Sequence, residues 1–74
     1  MTKIAKKLLI GDKVKLARIR ASMTQATLSS LAGIAQSHIS EIEAGRRGVK
    51  AEQLFNIAMA TKKPMTFFTT GISW

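Results

Sequence analysis

The chain of 74 residues carries twelve Lys and Arg against four Asp and Glu, a formal net charge of +8. This balance favours polyanions as partners, nucleic acid first, although a merely basic soluble domain would also fit. The chain has no cysteine, which excludes disulfides and thiolate-held metal. With 46% hydrophobic residues but no apolar run of about 20 residues, we expect one small intracellular domain rather than a disordered tail.

The first half of the chain is predicted to begin with two helices. Residues 1–9 are basic and apolar, and an arm, an additional helical turn and a piece of the core all remain open for them. Asp12 is the predicted N-cap of a helix that ends near residue 21. Thr24 caps a second, short helix over residues 25–31, and Gly33 ends it in a left-handed conformation.

Three further helices are predicted in the second half, and no strand. One covers residues 36–43 and is closed by Gly45. The next covers residues 51–61 and starts poorly, since Lys50 before it has no side-chain acceptor. Pro64 suits the first turn of a last helix.

The helix over residues 36–43 has two different faces. At about 100° per residue, the polar side chains lie on one arc and the apolar ones opposite: Gln36, Ser37, Ser40 and Glu41 against Ala35, Ile39 and Ile42. This division is typical of a helix that packs by its apolar side and reads base edges in the major groove. Any surface helix also has a polar face, so this helix alone does not decide the function.

Two neighbouring features favour DNA. The helix that starts at Thr24 and Gln25 would present unpaired N–H groups and a positive dipole end to a phosphate. Beyond the reading helix, Arg46, Arg47 and Lys50 are expected to contact the phosphate backbone. For the two arginines the alternative is ordinary surface charge.

Residues 23–47 read MTQATLSSLAGIAQSHISEIEAGRR. This stretch resembles the helix-turn-helix of the phage Cro/C1 repressor-like family, also called the XRE family, whose pattern includes Ser/Thr-Gln, a Gly at the turn and later Ile-Ser-x-Ile-Glu-x-Gly. The resemblance extends over about residues 10–68. It implies an all-α, compact five-helix bundle of the lambda repressor-like type, with the domain over residues 10–70 and a short tail at 71–74.

The resemblance also implies roles for individual residues. Gln36, Ser37 and Glu41 would face bases, while Gln25, Ser40 and the loop at Arg46 would contact phosphates. Arg18 and Glu43 look like the internal ion pair of the family, a structural role.

Several residues depart from the family pattern. Glu41 puts a carboxylate at a reading position, which is unfavourable near phosphates unless it meets a cytosine amino group or an arginine. Lys50 replaces the usual Ser cap, and Lys62 stands where a helix-ending Gly is usual. Leu16 and Ile19 are apolar where the family is charged, so either the N-terminal segment covers them or they form a partner surface.

One reading helix contacts few base pairs, so we expect a homodimer on double-stranded DNA. The candidate interface is the C-terminal apolar cluster: Phe67, Phe68, Ile72 and Trp74. The alternative is that these residues close a small core.

The expected function is therefore that of a sequence-specific transcriptional regulator, a repressor or autoregulator of phage, mobile-element or restriction-modification type, in the cytoplasm at the nucleoid. The alternative is an antitoxin-type module that masks a protein partner and binds DNA secondarily; a toxin and RNA polymerase are the protein partners considered. A membrane-surface peptide is disfavoured, since the turns and caps specify a bundle. The few acids and the single His38 form no catalytic or metal constellation, so neither an enzyme nor a cofactor is expected.

Overall fold

Five helices follow one another in the computed structural model, which describes residues 2–69 and the side chains of residues 10–69. They are α1 (Thr2–Arg20), α2 (Gln25–Ala32), α3 (Gln36–Glu43), α4 (Ala51–Thr61) and α5 (Met65–Thr69). The described residues contain no strand. The prediction of an all-α five-helix fold is confirmed, and no helix within the described range is long and apolar enough to cross a membrane.

The start of α1 differs from the prediction. The prediction that Asp12 caps this helix is wrong, because α1 continues upstream to Thr2 and Asp12 lies inside it. Gly11 is also interior, and a Cβ there would overlap the backbone oxygen of Ile42 and lie 3.3 Å from that of Glu43. This glycine therefore serves the close approach of α1 to the end of α3, and it does not break the helix.

The core draws on all five helices. α2 packs against α3 and α4, and α1 packs against α3 and α5. Burying side chains of this size contributes about 1.5–3 kcal/mol each, so the core holds the helices in one arrangement. Its buried apolar members are Val14, Ala17, Leu28, Ala32, Ile34, Ile39, Ile42, Leu54, Ile57, Ala58 and Phe68.

The first four helices end in the same way. A residue in the left-handed conformation follows each of them: Ser22 (φ 58°), Gly33 (φ 67°), Gly45 (φ 76°) and Lys62 (φ 59°). The next N–H then bonds a carbonyl five residues back, as in Met23 to Arg18 (3.0 Å), Ile34 to Ser29 (3.2 Å), Arg46 to Glu41 (2.9 Å) and Lys63 to Ala58 (2.9 Å). These are Schellman ends, which reverse the chain within a few residues.

Local side-chain bonds fix the turn between α2 and α3. At the start of α2, Thr24 Oγ1 accepts from the Thr27 N–H at 3.0 Å, as its predicted capping role requires. At the end, the Ser29 hydroxyl donates to the carbonyl of Ile34. Ile34 is only 6% exposed, so the turn is anchored in the core.

The start of α4 has half of a capping box. Lys50 lacks an acceptor, but Gln53 Oε1 accepts from the Lys50 backbone N–H at 3.1 Å. One otherwise unpaired N–H is thereby satisfied.

Candidate nucleic-acid interface

α3 separates its apolar and polar residues as the sequence predicts. Ile39 is fully buried and Ile42 is 1% exposed, so both hold the helix against the core. Gln36 and Ser37 are exposed at its start. Ala35 before them makes no side-chain cap, so it satisfies none of the first backbone N–H groups of α3 with a side-chain acceptor.

The other two residues of the predicted polar arc, Ser40 and Glu41, are half-buried. Each of them lies against a group from outside the helix. Ser40 lines a cleft together with residues of α1 and α2, and Glu41 bonds Arg47 in the loop that follows α3.

Arg18, Gln25 and Glu43 join three helices. Arg18 Nε donates to Glu43 Oε2 at 2.7 Å and Arg18 Nη2 to Oε1 at 3.0 Å. Gln25 Nε2 donates to the same Oε1 at 3.1 Å, and Arg18 Nη1 donates to the carbonyl of Met23 at 2.9 Å. The hydrogen bond from Arg18 to Glu43, opposed by burial and aided by the charge of Glu43, raises the pKa of Arg18.

A polar cleft lies between α1, α2 and α3. It brings Gln25 and Ser40, two predicted phosphate contacts, to one place, together with Lys15 of α1. The full lining is Lys15, Arg18, Gln25, Ser40, Glu43 and Ala44.

Lys15 is exposed at this cleft, and the sequence analysis did not find it. Its relevant signal is the spacing of three residues to Arg18, which places both on one helix face. Together with the expected Arg18–Glu43 pair, that spacing could have placed Lys15 near the end of α3.

Glu41 and Arg47 form a surface ion pair. Arg47 Nε donates to Glu41 Oε1 at 2.7 Å, and the side chains are 45% and 39% exposed for Arg47 and Glu41. This hydrogen bond and then the charge of Arg47 lower the pKa of Glu41, and the charges of His38 and Arg46 act weakly in the same direction. The carboxylate thus meets an arginine of its own chain.

The remaining predicted phosphate contacts are exposed. Thr24 lies before α2 and Arg46 lies in the loop after α3. Lys50 lies at the start of α4, and no hydrogen bond or ion pair between described side chains joins it to the cleft or to Glu41.

Of the C-terminal aromatic residues that the structure describes, only Phe68 departs from its predicted interface role. Phe68 is fully buried, so its predicted place in a dimer interface is wrong, and the alternative, that it closes the core, applies. Phe67 is half-buried and packs edge-on against it, with ring centroids 5.2 Å apart. The ammonium groups of Lys13 and Lys63 lie 5.7 and 5.2 Å from the Phe67 ring centroid. Ile72 and Trp74 lie outside the described residues.

Apolar side chains are exposed on two other parts of the surface. On α1, Leu16 is 39% and Ile19 53% exposed. Leu9 lies seven residues before Leu16, about 10 Å along the helix axis, so a continuous α1 carries the N-terminal segment away from both. The second part is an apolar groove between α2 and α4, lined by Met23, Leu31, Asn56, Met59, Ala60 and Lys62.

Residues that could hold a metal ion are few. Within the described part of the chain, no three His, Cys, Asp or Glu side chains are grouped closely enough to do so.

The chain is similar to known helix-turn-helix proteins. A family model described as helix-turn-helix matches residues 14–68. Among solved structures, the restriction-modification controller protein C.AhdI from Aeromonas hydrophila has a TM-score of 0.83 at 23% identity, covering 86% of this chain and 97% of that one. At this identity the likeness shows a shared fold. No curated protein sequence matches significantly.

Proposed function

This chain belongs to the Cro/C1-type helix-turn-helix family of DNA-binding transcription regulators, and we propose that it recognises a specific operator by placing α3 in the major groove. The observation that carries the proposal is the division of α3. Ile39 and Ile42 are buried while Gln36 and Ser37 are exposed, so the helix is held firmly behind a polar face. The Gln side chain can form two hydrogen bonds with adenine, through its amide oxygen and its amide nitrogen, and a Ser hydroxyl can hydrogen-bond several different bases.

Phosphate contacts on either side of α3 would position this face. Thr24, Gln25 and Ser40 lie on one side, and we add Lys15 because it lines the same cleft. Arg46 and Lys50 would serve the other side; Arg47, which the sequence also predicted there, is bound to Glu41. Such contacts supply affinity and register without reading sequence.

The operator-bound form is proposed to be a homodimer, with two α3 helices about 34 Å apart. With Phe68 removed from the candidates, Phe67, Ile72 and Trp74 remain. The exposed Phe55 (51%) and Met59 (64%), one turn apart on α4, add apolar surface that a second copy could cover.

The regulatory role is proposed to be that of a repressor or autoregulator, in the cytoplasm at the nucleoid. The similar structure of C.AhdI, a restriction-modification controller protein, supports control of such a system as one form of this role. Phage and mobile-element repression are the other forms considered.

Footprinting on DNA around the gene, combined with affinities at several salt concentrations, tests this function. We expect protection of two half-sites and a preference for them over unrelated DNA. Affinity that depends on salt but not on sequence would reduce the function to nonspecific electrostatics.

A second candidate function rests on the exposed apolar residues of α1. Leu16 and Ile19 are 39% and 53% exposed. Exposed apolar side chains of this kind are what an antitoxin needs to bind and mask a toxin. If this is the main role, co-expression should neutralise the toxicity of a neighbouring gene product, and Leu16→Ser with Ile19→Ser should abolish the rescue while DNA binding persists. Rescue that survives both substitutions would reject it.

A further inference from the structure

We propose that Arg47 is not a phosphate anchor but the partner of Glu41 in a charge-neutral reading unit that selects a G·C base pair. This inference rests on the proposed function and names a specificity element within it. For Arg47 it replaces the phosphate contact that the sequence predicts.

The end of α3 explains why Arg47 meets Glu41. Gly45 has a φ of 76°, and the Arg46 N–H donates to the Glu41 carbonyl at 2.9 Å. The chain therefore turns back over the last turn of α3. Arg47 Nε then lies 2.7 Å from Glu41 Oε1, while Arg46, its neighbour, has no hydrogen bond to the carboxylate among the described contacts.

Electrostatics favours entry of the pair over entry of Glu41 alone. A single carboxylate in the major groove would be repelled by the phosphates on both sides. With Arg47 bound, the two side chains have no net charge. An arginine engaged by the carboxylate is also held back from the phosphates.

The atoms that remain free match one base pair. Because Arg47 uses Nε for Glu41, its two Nη groups stay available, and they suit guanine O6 and N7. Glu41 keeps Oε2, an acceptor for the cytosine amino group. With adenine in place of guanine, the N6 amino group, a donor, would face an Arg47 Nη group, which is also a donor, so no hydrogen bond would form.

A double-mutant cycle tests the inference, using Arg47→Gln, Glu41→Gln and the double variant on the footprinted site and on unrelated DNA. We expect Arg47→Gln to weaken the specific site about tenfold, the loss of one good base contact, and unrelated DNA little. In the Glu41→Gln background the same change should have a much smaller effect, since the partner is gone. Both residues are exposed, and circular dichroism checks that each variant folds.

Arg46→Gln is the matched control, the same change one residue away. It should weaken both DNAs alike, as loss of a phosphate contact does. Arg47→Lys gives a further readout. It keeps the charge, so a phosphate anchor would be restored, whereas our reading unit would stay impaired without the guanidinium fork.

The outcomes separate the two levels of proposal. Wild-type protein without preference for any site overturns both. If the wild type is selective but Arg47→Gln weakens all DNA equally, independently of Glu41, or Arg47→Lys restores the specific site, the function stands and the reading unit is rejected. Base-pair substitution across the site must also reveal one G·C position whose preference disappears in the double variant; its absence rejects the unit.

Discussion

Arg18 on α1 and Glu43 at the end of α3 form a bidentate ion pair, with Nε to Oε2 at 2.7 Å and Nη2 to Oε1 at 3.0 Å. Their side chains are only 12% and 4% exposed. Gln25 donates to the same carboxylate from the start of α2. Together with Gln25, the pair therefore joins α1 to α2 and α3, the two helices of the helix-turn-helix motif.

Breaking this pair should be costly. Arg18→Met leaves the Glu43 carboxylate buried without its cation, and we expect the free energy of unfolding to fall by about 3 kcal/mol. Replacing both residues, Arg18→Met with Glu43→Leu, should recover part of the loss. Urea unfolding measures the three free energies, with exposed Arg20→Met as the control. A loss no larger than that of the control would show that the pair contributes little.

The left-handed Lys62 offers a stabilising substitution. A residue with a Cβ pays about 1–2 kcal/mol in this conformation, and glycine does not, so Lys62→Gly should raise the free energy of unfolding by about 1 kcal/mol. Lys62→Ala removes the same charge but keeps the Cβ. Thermal and urea unfolding should therefore show a higher stability only for the glycine variant. Equal stabilisation of both variants would attribute the effect to the lost charge instead.

Gly11 should not tolerate alanine. In an exposed helix interior this change would stabilise by about 1 kcal/mol, but here the new Cβ would overlap the Ile42 carbonyl oxygen. We expect a net loss of about 1–3 kcal/mol from overpacking. Gly48→Ala is the control, since nothing lies within 4 Å of its Cβ position. Urea unfolding that finds Gly11→Ala as stable as the wild type would mean that α1 does not approach α3 this closely.

Lys15 should act as a phosphate contact. Lys15→Gln is expected to reduce the slope of log affinity against log salt by about 0.9 for each protomer, and so by about 1.8 for the proposed homodimer, without changing base preference. Lys62→Ala, which removes a charge at the apolar groove instead, should leave the slope unchanged. Binding isotherms at several salt concentrations measure both. An unchanged slope in Lys15→Gln would remove it from the interface.

The titration of Glu41 should report its partner. Its pKa is lowered first by the hydrogen bond from Arg47 and then by that charge, so Arg47→Gln should raise it towards the ordinary value. Because the folded-state pKa is the lowered one, the small stabilisation is present at neutral pH and lost as pH falls through that pKa. NMR of the side-chain carboxyl carbon gives the value; Arg20→Gln should not move it, and an unshifted pKa in Arg47→Gln would mean that the pair does not persist in solution.

Much of the motif is determined locally, and so could be read from the sequence. Thr24, Gly33 and Gly45 act through hydrogen bonds to residues at most five positions away, and the predicted bounds of α3 and α4 agree with the structure. The face of α3 follows from its periodicity alone, since Ile39 and Ile42 share one side. The family resemblance rests on these same residues.

Tertiary structure decided the features that depend on residues distant in the chain. Gly11, an interior residue of α1, leaves space for the carbonyl of Ile42, and Phe68 is core because α5 turns it inward rather than towards a partner. Lys15 lines the same cleft as Gln25 only because of the packing of α1, and Arg47 meets Glu41 only where the loop turns back. Sequence periodicity assigns a residue to a helix face, but the neighbour on that face is chosen by packing.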